Sequence, residues 1–408
     1  MQRVVPEAVG LSSARLSAID RFLKERYVHV GKLPHVQLLV ARKDRVVHNT
    51  AQGLADVARK RPLADNALYR IYSMTKPITS VAFMMLVEEG RTSLDEPVHR
   101  IIPEWRNLRV FTGGADGAFE TRPTAAPMRM IDLLRHTSGL TYGFQARTPV
   151  DAVYRKRGIA HLPVVSLPEM ITALNDVPLE FSPGEAWNYS VSTDVVGYIV
   201  EKISGKPLAD FLRERIFTPL GMNDTGFQVA AEEADRLTAC YEFAKGGMAL
   251  QDDPATSPFL EPAQFVSGGG GLVSSAQDYL KFCRMLIGGG AVDGVRLLSP
   301  KTVAFMSANH LPGGGTLAGL SRSMFSESTN DGVGFGLGVA VTVDPVRTLL
   351  PGTAGDFYWG GMASTYFWVD PREELIVIFM TQLLPSSAYA IRRELRGMVY
   401  AAFTESFA

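Results

Sequence analysis

Ser73 and Lys76 stand three residues apart at the mouth of an apolar run, Pro77 to Glu89. On a helix that spacing puts two side chains on one face. A serine hydroxyl is a poor nucleophile until a neighbour takes its proton, and a desolvated lysine beside other proton-sharing groups can take it. The N–H groups of a helix's first turn have no intrahelical partner, so they can face the negative charge of a tetrahedral intermediate. The chemistry on offer is acyl transfer through a serine ester. The same residues also read as an N-capping serine followed by a solvated lysine, so the rest of the chain has to decide.

Two further stretches weigh on that decision. In Phe181-Ser182-Pro183-Gly184-Glu185-Ala186-Trp187-Asn188-Tyr189-Ser190, Pro-Gly marks a turn and Tyr189 follows it, just before a helical pattern from Ser192. A phenol there can relay a proton if nearby cations favour its anion; it can equally be a core tyrosine bonded to a carbonyl. In Tyr358-Trp359-Gly360-Gly361-Met362-Ala363-Ser364, paired glycines inside a strand pattern mean a close backbone approach or a bend.

The elements around these residues are legible. Ser12-Ser13 precede helical spacing at Leu16, Ile19, Phe22, Leu23 and Tyr27. His35 to Arg42 reads as a buried strand, Lys43-Asp44 as a turn and Arg45 to Gln52 as the returning strand. From about Pro97 to Pro262 the pattern is mostly helical, as at Met130 to Leu134, Leu167 to Leu174, Ser192 to Ile203 and Leu208 to Ile216. Ser274-Ser275 cap a helix through Leu286. Strands are expected at Gly334 to Val343, Phe357 to Val369 and Leu375 to Gln382, then a helix from Ser387 to Phe403. Pro312 to Asp331 reads as a mobile surface loop. Strands at both ends and helices between them predict an α/β domain built from residues 1–95 and 263–408. A mostly helical domain, 96–262, is inserted, and the short C-terminal turns make the sheet antiparallel.

Composition removes several function classes. The 408 residues are 46% hydrophobic and 20% charged with a formal net charge of −1. There is no basic patch for a nucleic acid and no uncharged apolar run of membrane length. Cys240 and Cys283 sit beside apolar residues outside any CxxC pair, which predicts buried thiols and no zinc site. Met1 to Glu7 lacks the apolar core of a secretory signal, so a cytoplasmic protein is expected. His136 lacks the Gly-x-Ser-x-Gly elbow that would accompany a serine–histidine triad, and Gly268 to Gly271 lacks the Gly-Lys-Ser/Thr ending of a phosphate loop.

Taken together, the three stretches resemble the serine β-lactamase and penicillin-binding-protein superfamily, in its class C-like branch. Ser73 and Lys76 match its first motif. Tyr189-Ser190-Val191 stands where Tyr-x-Asn is expected, and Trp359-Gly360-Gly361 where Lys-Thr-Gly is expected. Leu133 to Leu140, Pro183-Gly184-Glu185, Gly268 to Tyr279 and Val369-Asp370-Pro371 are similar to that family too, so the resemblance spans roughly residues 10 to 400. It implies a two-lobed fold with the active site in the cleft between the lobes. Ser73 is the implied nucleophile, and Lys76 and Tyr189 share its proton as a coupled pair in which either is the first base. The implied oxyanion site is the backbone N–H groups of Ser73 and Met362, and no metal or organic cofactor is needed. Tyr142 is placed like a cleft-lining aromatic, although a packed core tyrosine has the same signature. Asp194 either orients a water or backbone N–H or serves the start of its helix.

The departures set the substrate. Val191 removes an amide from the pocket, and Trp359 replaces a cation by an apolar indole face. A pocket formed by Trp359, Gly360, Gly361, Tyr142 and Val191 should therefore prefer neutral, apolar acyl groups. Trp-Gly-Gly here is similar to the family VIII carboxylesterases, which implies a short-chain esterase with weak or no β-lactam turnover. A β-lactamase, D-amino-acid peptidase or transesterase on the same scaffold is one alternative. A non-catalytic binding protein is the other, and intact Ser73, Lys76 and Tyr189 argue against it.

Overall fold

The strand His35–Arg42 points side chains alternately to two faces, and every one of them is buried, so it is covered on each side. Lys43 and Asp44 adopt left-handed backbone, φ 51° and 53°, the geometry of a tight hairpin, and Arg45–Asp56 returns antiparallel. In the computed structural model, which describes residues 3–160, 166–323 and 331–407, this hairpin belongs to an eight-stranded sheet. The strand order is Val333–Phe335, Ala340–Thr342, Phe357–Gly360, Tyr366–Asp370, Leu375–Met380, His35–Arg42, Arg45–Asp56, Arg61–Pro62. Every neighbouring pair is antiparallel, and the two ends of the chain meet where Gln37–Arg42 pairs with Leu375–Met380.

One face of the sheet, with Leu38, Val40, Trp368 and Phe379, shares a core with the helices Ser13–Leu23 and Ile391–Tyr400. The other, with Leu39, Phe367, Ile376 and Ile378, shares a core with Thr75–Glu88 and Ala276–Ile287. Ser12 and Ser275 cap their helices as the sequence predicts, each accepting a backbone N–H three residues on. The Thr75–Glu88 helix is buried almost all round and packs against Ser192–Ser204, so the helices bearing Lys76 and Asp194 touch.

Some elements differ from expectation. Gly334 to Val343 is a hairpin rather than one strand, turning at Gly338 with φ 91°. Phe357 to Val369 also divides, into Phe357–Gly360 and Tyr366–Asp370, because Ser364 takes φ 68° and closes a turn. The last helix starts at Ile391, since Tyr389 is still extended. The middle segment holds strand hairpins as well as helices, Arg109–Gly113 with Glu120–Pro123 and Cys240–Ala244 with Gly247–Asp252. The second pairs in parallel with Leu383–Leu384. The segment expected as a loop contains the short helix Leu317–Leu320 with Leu317 buried, and its residues 324–330 lie outside the described residues. Among the described residues no helix is long and apolar enough to cross a membrane. Cys240 and Cys283 are both free and buried.

Candidate active site

Ser73 sits in a single 3-10 turn, Tyr72–Met74, that runs directly into the Thr75–Glu88 helix. Tyr72 takes φ 42°, a left-handed conformation that costs a non-glycine residue about 1–3 kcal/mol. That bend leaves Ser73 partly exposed in a cavity while Lys76, one turn on, is fully buried. Lys76 Nζ donates to the Gly269 carbonyl at 2.7 Å and to the Tyr142 phenol at 3.0 Å, and lies 3.3 Å from Ser73 Oγ. A carbonyl can only accept. Charged, the amine can donate to all three; when it is neutral, two N–H bonds serve Gly269 and Tyr142 and the lone pair is left for Ser73. The arrangement can receive the Ser73 proton without moving a heavy atom.

Tyr189 ends the turn before Ser192–Ser204 and lays its ring under the amine, with Nζ 4.6 Å from the ring centre. His136, Tyr142 and Trp359 pack around that ring at centroid distances of 4.9, 5.4 and 5.4 Å. Burial pushes the Tyr142 phenol well above its ordinary range, and the charges of Asp194 and Tyr189 push the same way, so it stays protonated. Burial, then the Lys76 charge, hold the His136 imidazole well below its usual value. A neutral, buried His136, bonded through Nδ1 to Ser190 Oγ, packs the site rather than exchanging its proton.

The cavity, about 140 Å³, is lined at this end by Ser73, Trp187, Tyr189 and the edge Trp359–Met362. Gly361 explains why that edge comes so close to the serine: a Cβ there would run into the Ile71 carbonyl oxygen and Thr365 Oγ1. Gly360 has a different reason. A Cβ at 360 would stand 2.6 Å from the Arg392 guanidinium, whose Nη2 donates to the carbonyls of Gly361 (2.6 Å) and Thr365 (2.9 Å). Arg392 thus ties both sides of the turn that carries Met362.

Of the residues singled out in the sequence, Ser73, Lys76, Tyr189, Trp359, Gly360, Gly361 and Met362 come together. Val191 does not join them. It directly precedes its helix, gives its N–H to Thr141 and is fully buried in the core, so it forms no part of the cavity wall. Tyr142 is likewise off that wall, because its hydroxyl is turned onto Lys76. Asp194 is buried and accepts from Ser267 Oγ at 2.5 Å and the Gly269 N–H at 2.9 Å. Tyr72, Gly269 and Arg392 were not read as site residues. Gly269 lay in a visible glycine run, whereas nothing local to Tyr72 or Arg392 marks them. Among the described residues no group of His, Cys, Asp and Glu side chains has the makings of a metal site.

The profile of the Beta-lactamase family matches residues 20–401. Protein Rv1367c of Mycobacterium tuberculosis is 36% identical over 358 residues, covering 87% of each chain. Esterase EstB of Burkholderia gladioli is 32% identical over 403 residues, covering 92% of this chain and 93% of its own. The solved structure of EstCE1, described as a hydrolase with promiscuous acyltransferase activity, superposes with a TM-score of 0.80 at 26% identity over 95% of this chain and 99% of its own. The chain belongs to the beta-lactamase family, and the expected scaffold and enzyme class, a serine hydrolase on a β-lactamase-like fold, stand.

Proposed function

We propose, with membership of the beta-lactamase family as the premise, that this protein is a carboxylesterase that hydrolyses short-chain esters through an acyl-enzyme on Ser73. The observation that carries the reading is the buried Lys76 amine, fixed by Gly269 and Tyr142 and aimed at Ser73 Oγ. Ser73 Oγ attacks the ester carbonyl as its proton passes into the Lys76–Tyr189 network, and the same network returns a proton to the leaving alcohol. Water then attacks the acyl-enzyme by the reverse route. In this reading the N–H groups of Ser73 and Met362 serve the oxyanion, and the close approach of Gly361 to the Ile71 carbonyl supports it by bringing the two backbones together. The site lies in the cleft between a lobe built from both chain ends and the inserted lobe.

Trp359 supports the choice of ester over β-lactam. Its indole packs between Tyr189 and Phe335 at centroid distances of 5.4 and 5.3 Å, where the related motif carries a lysine. A neutral acyl group meets apolar surface there, whereas a β-lactam carboxylate loses the cation the motif supplies. The relative EstB, named as an esterase, supports the same choice. If an alcohol replaces water in the second step the outcome is acyl transfer, the promiscuous activity described for EstCE1.

The test is intact mass after brief exposure to a p-nitrophenyl short-chain ester and, separately, a cephalosporin, with p-nitrophenol release and ring opening followed in parallel. Rapid ester turnover that Ser73→Ala abolishes, with slow or trapped β-lactam acylation, is the expected result. Fast cephalosporin turnover with poor ester hydrolysis makes the protein a β-lactamase, and turnover by pure Ser73→Ala removes the assignment altogether.

A further inference from the structure

Asp194 carries a carboxylate into the interior, 1% exposed, in the first turn of the Ser192–Ser204 helix. An acid suits the first turn of a helix, but this one also reaches outside its own helix. Its Oδ1 accepts from Ser267 Oγ at 2.5 Å and from the Gly269 N–H at 2.9 Å. Gly269 in turn presents its carbonyl to Lys76 Nζ at 2.7 Å. One residue is therefore gripped at both ends, by a carboxylate on its N–H and by the amine on its C=O. The glycine is required for this: a Cβ at 269 would lie 2.6 Å from Asp194 Oδ2. That second oxygen is buried and takes no hydrogen bond among the described residues. Polarising a peptide does not need a carboxylate, so a buried acid 1% exposed beside the Lys76 network points to another task.

We propose that Asp194 is a positioning residue that fixes Lys76 through the Gly269 backbone and supplies the negative charge that balances the proton network around Ser73. The inference rests on the reading of Ser73 and Lys76 as nucleophile and proton acceptor. The other groups facing Lys76 are Ser73 on its own helix, Tyr189 and Tyr142 from the two neighbouring loops, and the imidazole of His136. Tyr142 is held protonated and His136 neutral, so neither balances a cation. Asp194 is the carboxylate among these neighbours. Burial raises its tendency to bind a proton, and the Lys76 charge is the largest influence opposing that.

Removing the charge lets the network release its proton at lower pH. The acid limb of kcat/KM reports that release for the network as a unit. Asp194→Asn keeps the size and an oxygen for Ser267 and Gly269, and the limb is expected to move down by roughly one pH unit or more. Asp194→Glu, which restores the charge, is expected to bring the limb back toward its wild-type place even if kcat stays low. Ser267→Ala, which strips one donor from the carboxylate, shifts the limb the same way by less and carries the test if Asp194→Asn gives no cooperative melt. An unmoved limb in the folded variant overturns the inference. Ser73→Ala, run beside them, separates the failures: if it is inactive, an unmoved limb counts against Asp194 alone, and if it still turns over, the esterase reading has failed first.

Discussion

The backbone of Gly361 lies against the carbonyl of Ile71, so close that no side chain fits between the edge of the sheet and the turn that presents Ser73. Both N–H groups proposed for the oxyanion depend on this contact, one from each side. Gly361→Ala is expected to lower kcat/KM for a p-nitrophenyl ester by about 10²–10³, the loss associated with one displaced oxyanion donor. Folding stability should fall only by the amount that ordinary overpacking causes, about 1–3 kcal/mol. Full activity in this variant would mean that Met362 does not serve the oxyanion.

Tyr142 gives a second test. Its phenol holds the buried Lys76 amine at 3.0 Å, so Tyr142→Phe removes one of the two bonds that orient the lone pair toward Ser73. A drop in kcat of roughly tenfold or more is expected, together with about 1–3 kcal/mol of lost stability from the unmade bond. Urea unfolding and steady-state kinetics on the same preparation measure both. An unchanged kcat would show that Gly269 alone fixes the amine.

Trp359→Lys restores the cation of the related motif. The ratio of kcat/KM for an acidic ester, such as a hemisuccinate, to that for its neutral counterpart is expected to rise about tenfold, a shift of about 1.4 kcal/mol. Absolute activity should fall as well, since the indole's packing on Tyr189 and Phe335 is lost. An unchanged ratio would remove Trp359 from the ester pocket.

The fold was legible because its signals are local. Apolar alternation in His35–Arg42, the Lys43-Asp44 turn and the serine caps at Ser12 and Ser275 each act within a few residues. The Ser73–Lys76 pair was legible for the same reason, since one helical turn brings the two together. What the chain did not disclose is set by distance in sequence. Lys76 meets Gly269 across 193 residues and Tyr142 across 66, and Arg392 reaches Gly361 from the last helix. Motif order gives Val191 a position and not the direction of its side chain, which is buried in the core. Where one strand was expected at Phe357 to Val369, the left-handed turn at Ser364 decided otherwise, and serine carries no strong signal for that conformation.

Stability should decline on mild acidification, and His35 identifies a cause. Burial pushes its imidazole down from 6.5 to about 4. The folded state therefore keeps His35 neutral while the unfolded state takes up a proton below pH 6.5, so the unfolded state gains as pH falls. His136 is depressed for the same reason and adds in the same direction. Between pH 6.5 and 5, His35 alone is expected to cost about 1.5 kcal/mol. In urea melts at both pH values, His35→Gln should flatten this decline relative to wild type. An equal slope in the variant would mean that carboxylates, not His35, govern the window.

Arg392 and Gly360 make the most specific prediction, because each accounts for the other. The related motif has threonine at the position of Gly360, and here a side chain would meet the guanidinium that ties the carbonyls of Gly361 and Thr365. Gly360→Thr is expected to dislodge Arg392, loosen the turn carrying Met362 and lower kcat by roughly tenfold or more with little change in KM, since the turn acts on the transition state. Arg392→Ala should do similar damage by removing the tie directly. The double variant should then be little worse than either single one, because both remove the same interaction, giving a coupling of about 1 kcal/mol or more in the cycle. Strictly additive losses would show that the two residues act separately and that the glycine at 360 answers to something other than Arg392.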